Sequence, residues 1–407
     1  MIDYFFSSKN KSTFLLASGF VVFLLSYMLI SVSKIHNTIF YTLVLFPLLF
    51  CAEKKHFVEL HKCKLINGLL LFLLYSTCTI FWSEFSSIEL FIRTFKRLLY
   101  IYGLFLAIYI ITSTFASFAS YLIKYAAGLL SIFSCVCIYL FLNETGPHFL
   151  HDPIRMWGLG ALYHPSFYAV IYLSFTMGLV AYFHTEDKYF RPMQEKNHFF
   201  ATTMVILAII VAILCDSRAS VVSFVTMSIF YAFIERKFIW ILTAFAIVAI
   251  LKIVVWQIDP NIFFARPSYR FELWAIFLDK WKECGYFFGC GMSGWKTTIV
   301  STGEDIHMHA HSIYIGQLHT GGIVQLLSYI FLLLCFLYEG TLHKESKPWA
   351  LILVAGMTMT LFDGSKILTT PSPLWITLLI PMSMIAAISA RSLKSSPSSL
   401  GFSKDIN

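Results

Sequence analysis

Arg218, Arg270 and His311 are the residues of this 407-residue chain whose types and settings best suit chemistry. Arg218 stands in Cys215-Asp216-Ser217-Arg218-Ala219-Ser220, a tight turn between two apolar stretches. A charge at the edge of such stretches costs free energy unless it is solvated or paired. It therefore either snorkels and pairs with Asp216 or holds an anion, and a guanidinium is suited to phosphate because its planar fork makes bidentate, permanently charged contacts. Arg270 follows Arg266 in Arg266-Pro267-Ser268-Tyr269-Arg270-Phe271-Glu272-Leu273-Trp274. From Pro267 onward the pattern reads as an amphipathic helix lying on a membrane surface, with Phe271, Trp274, Ala275 and Leu278 on one face and the proline in the first turn. Arg266 reads as a solvated loop charge and Arg270, early in the helix, as a functional cation. His311 opens an apolar stretch in His311-Ser312-Ile313-Tyr314, where an imidazole can accept or donate a proton near neutral pH. The same position also suits a helix cap or a side chain in a headgroup zone.

Two further groups surround these residues. The segment Pro147–Pro165 carries His148, His151, Asp152, Arg155, Trp157, Tyr163 and His164. Aromatic rings with a few polar groups suit sugar binding, and equally an interfacial belt. His164 opens an apolar stretch just as His311 does. The alternating His307, His309 and His311 could suggest a metal. Alternate spacing fits ligands only on a strand or irregular loop, and only Glu304 and Asp305 stand near enough to complete a set, so a metal site is not expected. Gly289-Cys290-Gly291 with Gly294 lacks the preceding strand and following lysine of a phosphate loop. It reads as a sharp return of the chain toward a membrane.

The elements that must position these groups are membrane helices. The chain is 58% hydrophobic and 13% charged, with a mean hydropathy of +0.74, against roughly 25% charged residues in a soluble domain. Forty-one Phe and 21 Tyr suit a lipid-facing surface. The net charge of +8 does not indicate nucleic acid, because the basic residues lie in short loops between apolar runs. About twelve segments reach the roughly 20 apolar residues of a span, starting near Thr13, Thr38, Leu65, Leu98, Phe118, Ser166, Phe199, Ser220, Phe238, Ser312, Trp349 and Leu374. The first is too long for a signal-peptide core and reads as a retained helix. No internal repeat or soluble domain is apparent. The expectation is an all-α polytopic membrane protein, one integral domain with a single large loop, residues 257–311, carrying short amphipathic helices. Most of the nine Cys lie in apolar runs. Cys284 and Cys290 share the loop, as a disulfide if it faces an oxidising compartment or as two thiols if not.

Lysine and arginine placement orients the chain. With the N-terminus (Lys9, Lys11) cytoplasmic, the inner loops and tail hold Lys54, Lys55, Lys62, Lys64, Lys188, Arg191, Lys196, Arg236, Lys237, Lys344, Lys347, Arg391, Lys394 and Lys404. The outer loops are poor in both residues, with two exceptions. One is Arg93, Lys96 and Arg97, read as a helix-like segment at the membrane edge and a further contact for an anionic headgroup or diphosphate. The other is the long loop from Trp256 to His311, a reason to place function there.

Three pieces in order carry a resemblance: Asp216-Ser217-Arg218-Ala219; Ser268-Tyr269-Arg270 with Trp274 and Gly289-Cys290-Gly291; and His311-Ser312 with Gly322. Together they resemble the bacterial O-antigen ligase family and the related O-antigen polymerases, most closely from Cys215 to Gly322. The family's His, then Asn, Ser or Gln, then nine residues, then Gly is met by His311, Ser312 and Gly322. Ile323-Val324-Gln325 departs from the small-residue ending of the fuller motif. The resemblance implies a metal-independent, cofactor-free inverting glycosyltransferase in the bacterial inner membrane, with both termini cytoplasmic and the site periplasmic. Its donor would be an undecaprenyl-diphosphate-linked glycan and its acceptor the lipid A-core. Arg218 and Arg270 would hold the diphosphate, whose charge grows as the glycosidic bond breaks. His311 would take the proton of the acceptor hydroxyl or bind it, and Arg266, Tyr269, Arg155 and His164 would line the substrates. A polymerase would use a second lipid-linked glycan as acceptor. A protein glycosyltransferase of the same superfamily usually carries a larger soluble portion. A lipid-linked glycan transporter, the reading from another class, would be expected to show paired halves and midplane charges.

Overall fold

The computed structural model describes residues 11–145, 155–185, 191–236, 246, 270–292, 300–302, 305–307 and 309–395. Among them, nine helices are long and apolar enough to cross a membrane. These are α1 (Lys11–Leu29), α2 (Ser33–Cys51), α4 (Lys64–Trp82), α5 (Ile88–Thr114), α6 (Phe118–Thr145), α7 (Pro165–Thr185), α9 (Arg218–Glu235), α11 (Ile313–Leu342) and α13 (Trp375–Lys394). Two more apolar helices are shorter, α12 (Lys347–Phe362) and the apolar part, Phe199–Leu214, of α8 (Arg191–Leu214). Outside the apolar set lie α3 (Lys54–Lys62) and α10 (Arg270–Cys284). One antiparallel hairpin pairs β1 (Val300–Thr302) with β2 (Asp305–His307). The span expected from Phe238 lies outside the described residues, as do Arg266, Tyr269, His148, His151 and Asp152.

Every backbone polar group in such a bundle must find a partner within the protein. The most enclosed helices are α5, α7, α12 and α13, which carry the large buried side chains Tyr109, Tyr168, Tyr172, Trp349 and Trp375. Around them, Phe46, Leu49 and Phe50 of α2 and Phe331 and Leu334 of α11 stay exposed, as a lipid-facing surface requires. At one end, cations of the bundle are neutralised by glutamates: Lys347 on Glu235 at 2.7 Å, Lys394 on Glu59 at 2.9 Å, and Arg391 on Glu345. At the other end, α7, α9, α10 and α11 begin and α12 stops.

One sequence expectation is corrected. Leu98 does not begin a span. Helix α5 starts at Ile88, with the Ser87 hydroxyl accepting from Leu90 N at 3.1 Å and Glu89 pairing with Arg93 a turn later. Arg93, Lys96 and Arg97, read as a helix-like segment, are helical residues within α5. In α10, the buried face is Leu273 and Phe277, while Phe271 is 73% exposed and Ala275 is exposed too.

The break in α11 explains the glycine that ends the His311-Ser312 motif. Gly322 adopts φ 67°, ψ −165°, a region closed to other residues. In an unbroken helix, Ile323 N and Val324 N would bond the carbonyls of His319 and Thr320. Instead they donate to Tyr286 O (3.0 Å) and Phe287 O (3.4 Å). The freed carbonyls of His319 and Thr320 accept from Cys290 N (2.7 Å) and Gly291 N (2.8 Å). The loop thus satisfies all four groups that the break releases. Contact is close: a Cβ on Gly322 would lie 2.1 Å from Phe287 O, and one on Gly289 would lie 2.6 Å from Gly322 N. Cys284 and Cys290 are joined as a disulfide that closes this loop, with Cα atoms 4.9 Å apart. Gly322→Ala should cost about 3 kcal/mol or more, since the left-handed conformation alone costs about 1–3 kcal/mol and the loop must also move. Thermal unfolding of the purified variant checks this; an unchanged midpoint would mean that the loop is not held by the break.

Candidate active site

His164, Arg218, Arg270 and His311 are delivered by helix ends. His164 precedes Pro165, which opens α7, and Arg218 is the first residue of α9, capped by Ser217 Oγ accepting from Ser220 N at 3.2 Å. Arg270 is the first described residue of α10, and His311 precedes Ser312, whose Oγ accepts from Ile315 N at 3.4 Å at the start of α11. Helix starts carry partial positive charge and unpaired N–H groups, so their convergence favours an anion. Helix α10 reaches this place because Leu273 and Phe277 pack on Ala310, and Trp274 Nε1 donates to Ala310 O at 2.9 Å. Leu273 lies one turn from Arg270 and Ala310 is next to His311, so that contact sets the distance between cation and imidazole.

Asp363 lies between these groups. It caps the C-terminus of α12, and its side chain is 13% exposed. Its carboxylate lies 3.5 Å from His311 Nδ1 and 3.9 Å from His164 Nε2, and accepts from Gly364 N at 2.7 Å. Burial pushes the Asp363 carboxyl up, but the His311 hydrogen bond, the His164 charge and the Gly364 N–H outweigh it and hold it below the usual carboxylate range. Burial lowers the His164 pKa; Asp363 opposes this and the charges of Arg155, His311 and Arg270 add to it. Burial also lowers the Arg270 pKa, with Asp363 opposing and Arg218 and Arg155 adding to it. A guanidinium stays protonated regardless. The charges of Arg218 and Arg155 are thus felt at Arg270, with the Asp363 and Asp216 carboxylates among them, an arrangement that an added polyanion relieves.

Arg155 is committed to Asp216, whose Oδ2 accepts from Arg155 Nη2 at 3.0 Å and Nε at 3.2 Å. The expected alternative of Arg218 pairing with Asp216 gives way to this forked pair from another segment, held in place by Met156 N donating to Leu214 O at 2.9 Å. Asp216 (φ 44°) and His311 (φ 47°) are two of the three non-glycine residues with positive φ among the described residues. Such conformations cost about 1–3 kcal/mol and gather where function over-determines the backbone. The His309 and His311 rings stand 4.1 Å apart, and His311 N donates to His309 Nδ1 at 3.2 Å. Beside His164, Trp157 and Tyr163 are stacked at 4.5 Å and about half exposed, a flat apolar platform.

The structure therefore brings His164, Arg155, Arg218, Arg270 and His311 together, while Arg266 and Tyr269 lie outside the described residues. Sequence reasoning missed Asp363, although it is the one acidic residue of the 362–373 loop and its Asp-Gly pair directly follows an apolar helix. The three cations of α5 part company. Arg93 pairs with Glu89, Lys96 lies 5.7 and 5.5 Å from the ring centres of Tyr41 and Tyr100, and the Arg97 charge helps push the Lys366 pKa down.

Fold and site define a polytopic membrane protein with a cationic, histidine-bearing cleft where its helices begin. No protein-family model matches the chain. Over 248 residues it is 28% identical to a protein named O-antigen ligase from Pseudomonas aeruginosa, a likeness that supports an O-antigen ligase family relationship. The likeness spans 58% of this chain and 58% of that protein's length.

Proposed function

We propose that the protein is an O-antigen ligase, transferring a glycan from an undecaprenyl-diphosphate carrier to the lipid A-core on the periplasmic face of the inner membrane. The observation that carries this reading is the meeting of Arg155, Arg218 and Arg270 with the His311–Asp363 pair at one helix-end cleft. Arg218 and Arg270 hold the lipid diphosphate as its charge grows, Arg155 fixes Asp216 beside them, and His311 receives the proton of the acceptor hydroxyl. Asp363 orients the imidazole. A single displacement of this kind inverts the anomeric carbon and needs no metal. The Trp157–Tyr163 platform offers apolar ring faces to a sugar. The Cys284–Cys290 disulfide supports a site on the oxidising side of the membrane, as does the lysine-rich opposite end.

A polymerase would use the same clamp and base with another lipid-linked glycan as acceptor. The name of the relative and the His311-Ser312…Gly322 motif favour the ligase. The test is the lipopolysaccharide banding of a deletion strain. A ligase leaves bare core while polymerised glycan persists on the carrier, and neither Arg270→Ala nor His311→Ala restores the ladder. Core bearing one repeat unit would assign the polymerase. An unchanged pattern would remove both and bring the transporter forward.

A further inference from the structure

A second set of cations, Lys366, Arg93 and Arg97, lies near enough together for their charges to interact. A cavity of about 240 Å³ opens between α10, α11 and the loop after α12, lined by His309, His319, Thr320, Ser365 and Lys366 among others. Its position is set by backbone contact: Ser365 O sits where a Cβ on Gly316 would lie, at 2.1 Å, so that the loop rests directly on α11 and carries Lys366 into the cavity. On α5, Arg93 and Arg97 stand one turn apart, near enough for their charges to act on Lys366, and Arg97 Nε is buried with no hydrogen-bond partner among the described residues. A buried guanidinium N–H left unpaired is costly and marks a place where an acceptor belongs. Burial first, then the charges of Arg97 and Arg93, push the Lys366 pKa down to about 8. An oxyanion placed among these groups would reverse both effects.

We infer that Lys366, Arg97 and Arg93, with the hydroxyl and imidazole groups of the cavity, form a second phosphate-binding site, separate from the one at Arg218 and Arg270. The ligand is a phosphate oxyanion. It comes either from the headgroup of a membrane lipid, since α5 spans the membrane, or from a phosphate group on a soluble molecule entering the cavity. Because His309 lines the cavity and touches His311, an anion held there sits beside the histidine cleft. The inference does not depend on the transfer reaction.

The test reads binding alone. Full-length protein in phosphatidylcholine nanodiscs is titrated with inorganic pyrophosphate. A second preparation replaces part of the phosphatidylcholine with phosphatidylglycerol. The readout is the rise in unfolding midpoint relative to the same variant without the anion. The Arg218→Gln/Arg270→Gln double variant should retain a rise in at least one preparation. Adding Lys366→Gln should raise the half-saturating anion concentration roughly tenfold or more, the loss of one charge-assisted contact, and Lys366→Arg should restore it. Arg97→Gln gives the same reading if Lys366→Gln fails to accumulate. A rise with pyrophosphate identifies a soluble phosphate, and one with phosphatidylglycerol only, a lipid headgroup. No rise in the double variant, or a response unchanged by Lys366→Gln and Arg97→Gln, overturns the inference.

Discussion

Arg270→Ala should slow glycan transfer by about 100- to 1000-fold, the cost of removing one pre-organised group that stabilises charge in a transition state. The size of the effect follows from where the guanidinium sits. It is partly buried, anchored through Leu273 and Phe277 on Ala310, and it faces Asp363, Arg218 and Arg155. A cation in such a place interacts more strongly with a leaving diphosphate than one in water. Arg270→Lys keeps the charge and loses the bidentate fork, so it should recover only part of the rate. Arg218→Ala should fall in the same range. Arg155→Ala acts by another route, because its guanidinium is taken up by Asp216; it should leave that carboxylate partly buried and unpaired, and so lower stability as well as rate. The measurement is transfer from a purified lipid-linked donor to a core acceptor, followed by gel mobility, with the unfolding midpoint of each variant as control. Wild-type turnover in Arg270→Ala would end the clamp assignment.

Local signals carried the membrane fold and the two proposed catalytic arginines, and long-range contacts carried what was missed. Apolar length found the spans because a helix in lipid has to supply its own hydrogen bonds. The same criterion misplaced the start of α5, because three cations, Arg93, Lys96 and Arg97, interrupt its apolar run, and what accommodates them is seen only in the structure: Glu89 a turn earlier for Arg93, and the rings of Tyr41 and Tyr100 for Lys96. Arg218, Arg270 and His311 were legible because charged or titratable groups at the ends of apolar stretches are costly and conspicuous. Asp363 was not, since one carboxylate after a helix is ordinary until His164 and His311 are seen beside it. Which apolar residues of α10 the protein itself covers was not legible either. Phe271 is as apolar as Phe277, and only the position of Ala310 decides which of them is covered. Gly322 shows the other side of this. Its spacing from His311 was visible, but the physical requirement behind it is an exchange of hydrogen bonds with residues 286–291.

His311→Ala should lower turnover by about 100- to 10 000-fold if the imidazole is the base for the acceptor hydroxyl. The form of the loss separates the two roles open to this residue. As a base, His311 contributes to the chemical step, so kcat falls while the acceptor KM changes little, and imidazole added to the assay restores part of the rate. As a binding group it holds the acceptor, so KM rises and kcat is retained. Alanine also strains the backbone, because His311 sits at φ 47°. His311→Asn is therefore the better control: asparagine tolerates that conformation and can still hydrogen-bond, but cannot take a proton. Asp363→Asn bears on the same question. It leaves His311 in place and replaces the carboxylate 3.5 Å from Nδ1 by an amide. Since Asp363 positions the ring and acts through His311, its loss should be smaller, up to about 100-fold, as for a misplaced reacting group. It should add little to the loss in a His311→Ala background, because residues acting as a unit are not additive. Independent, additive losses would place Asp363 in direct contact with substrate instead.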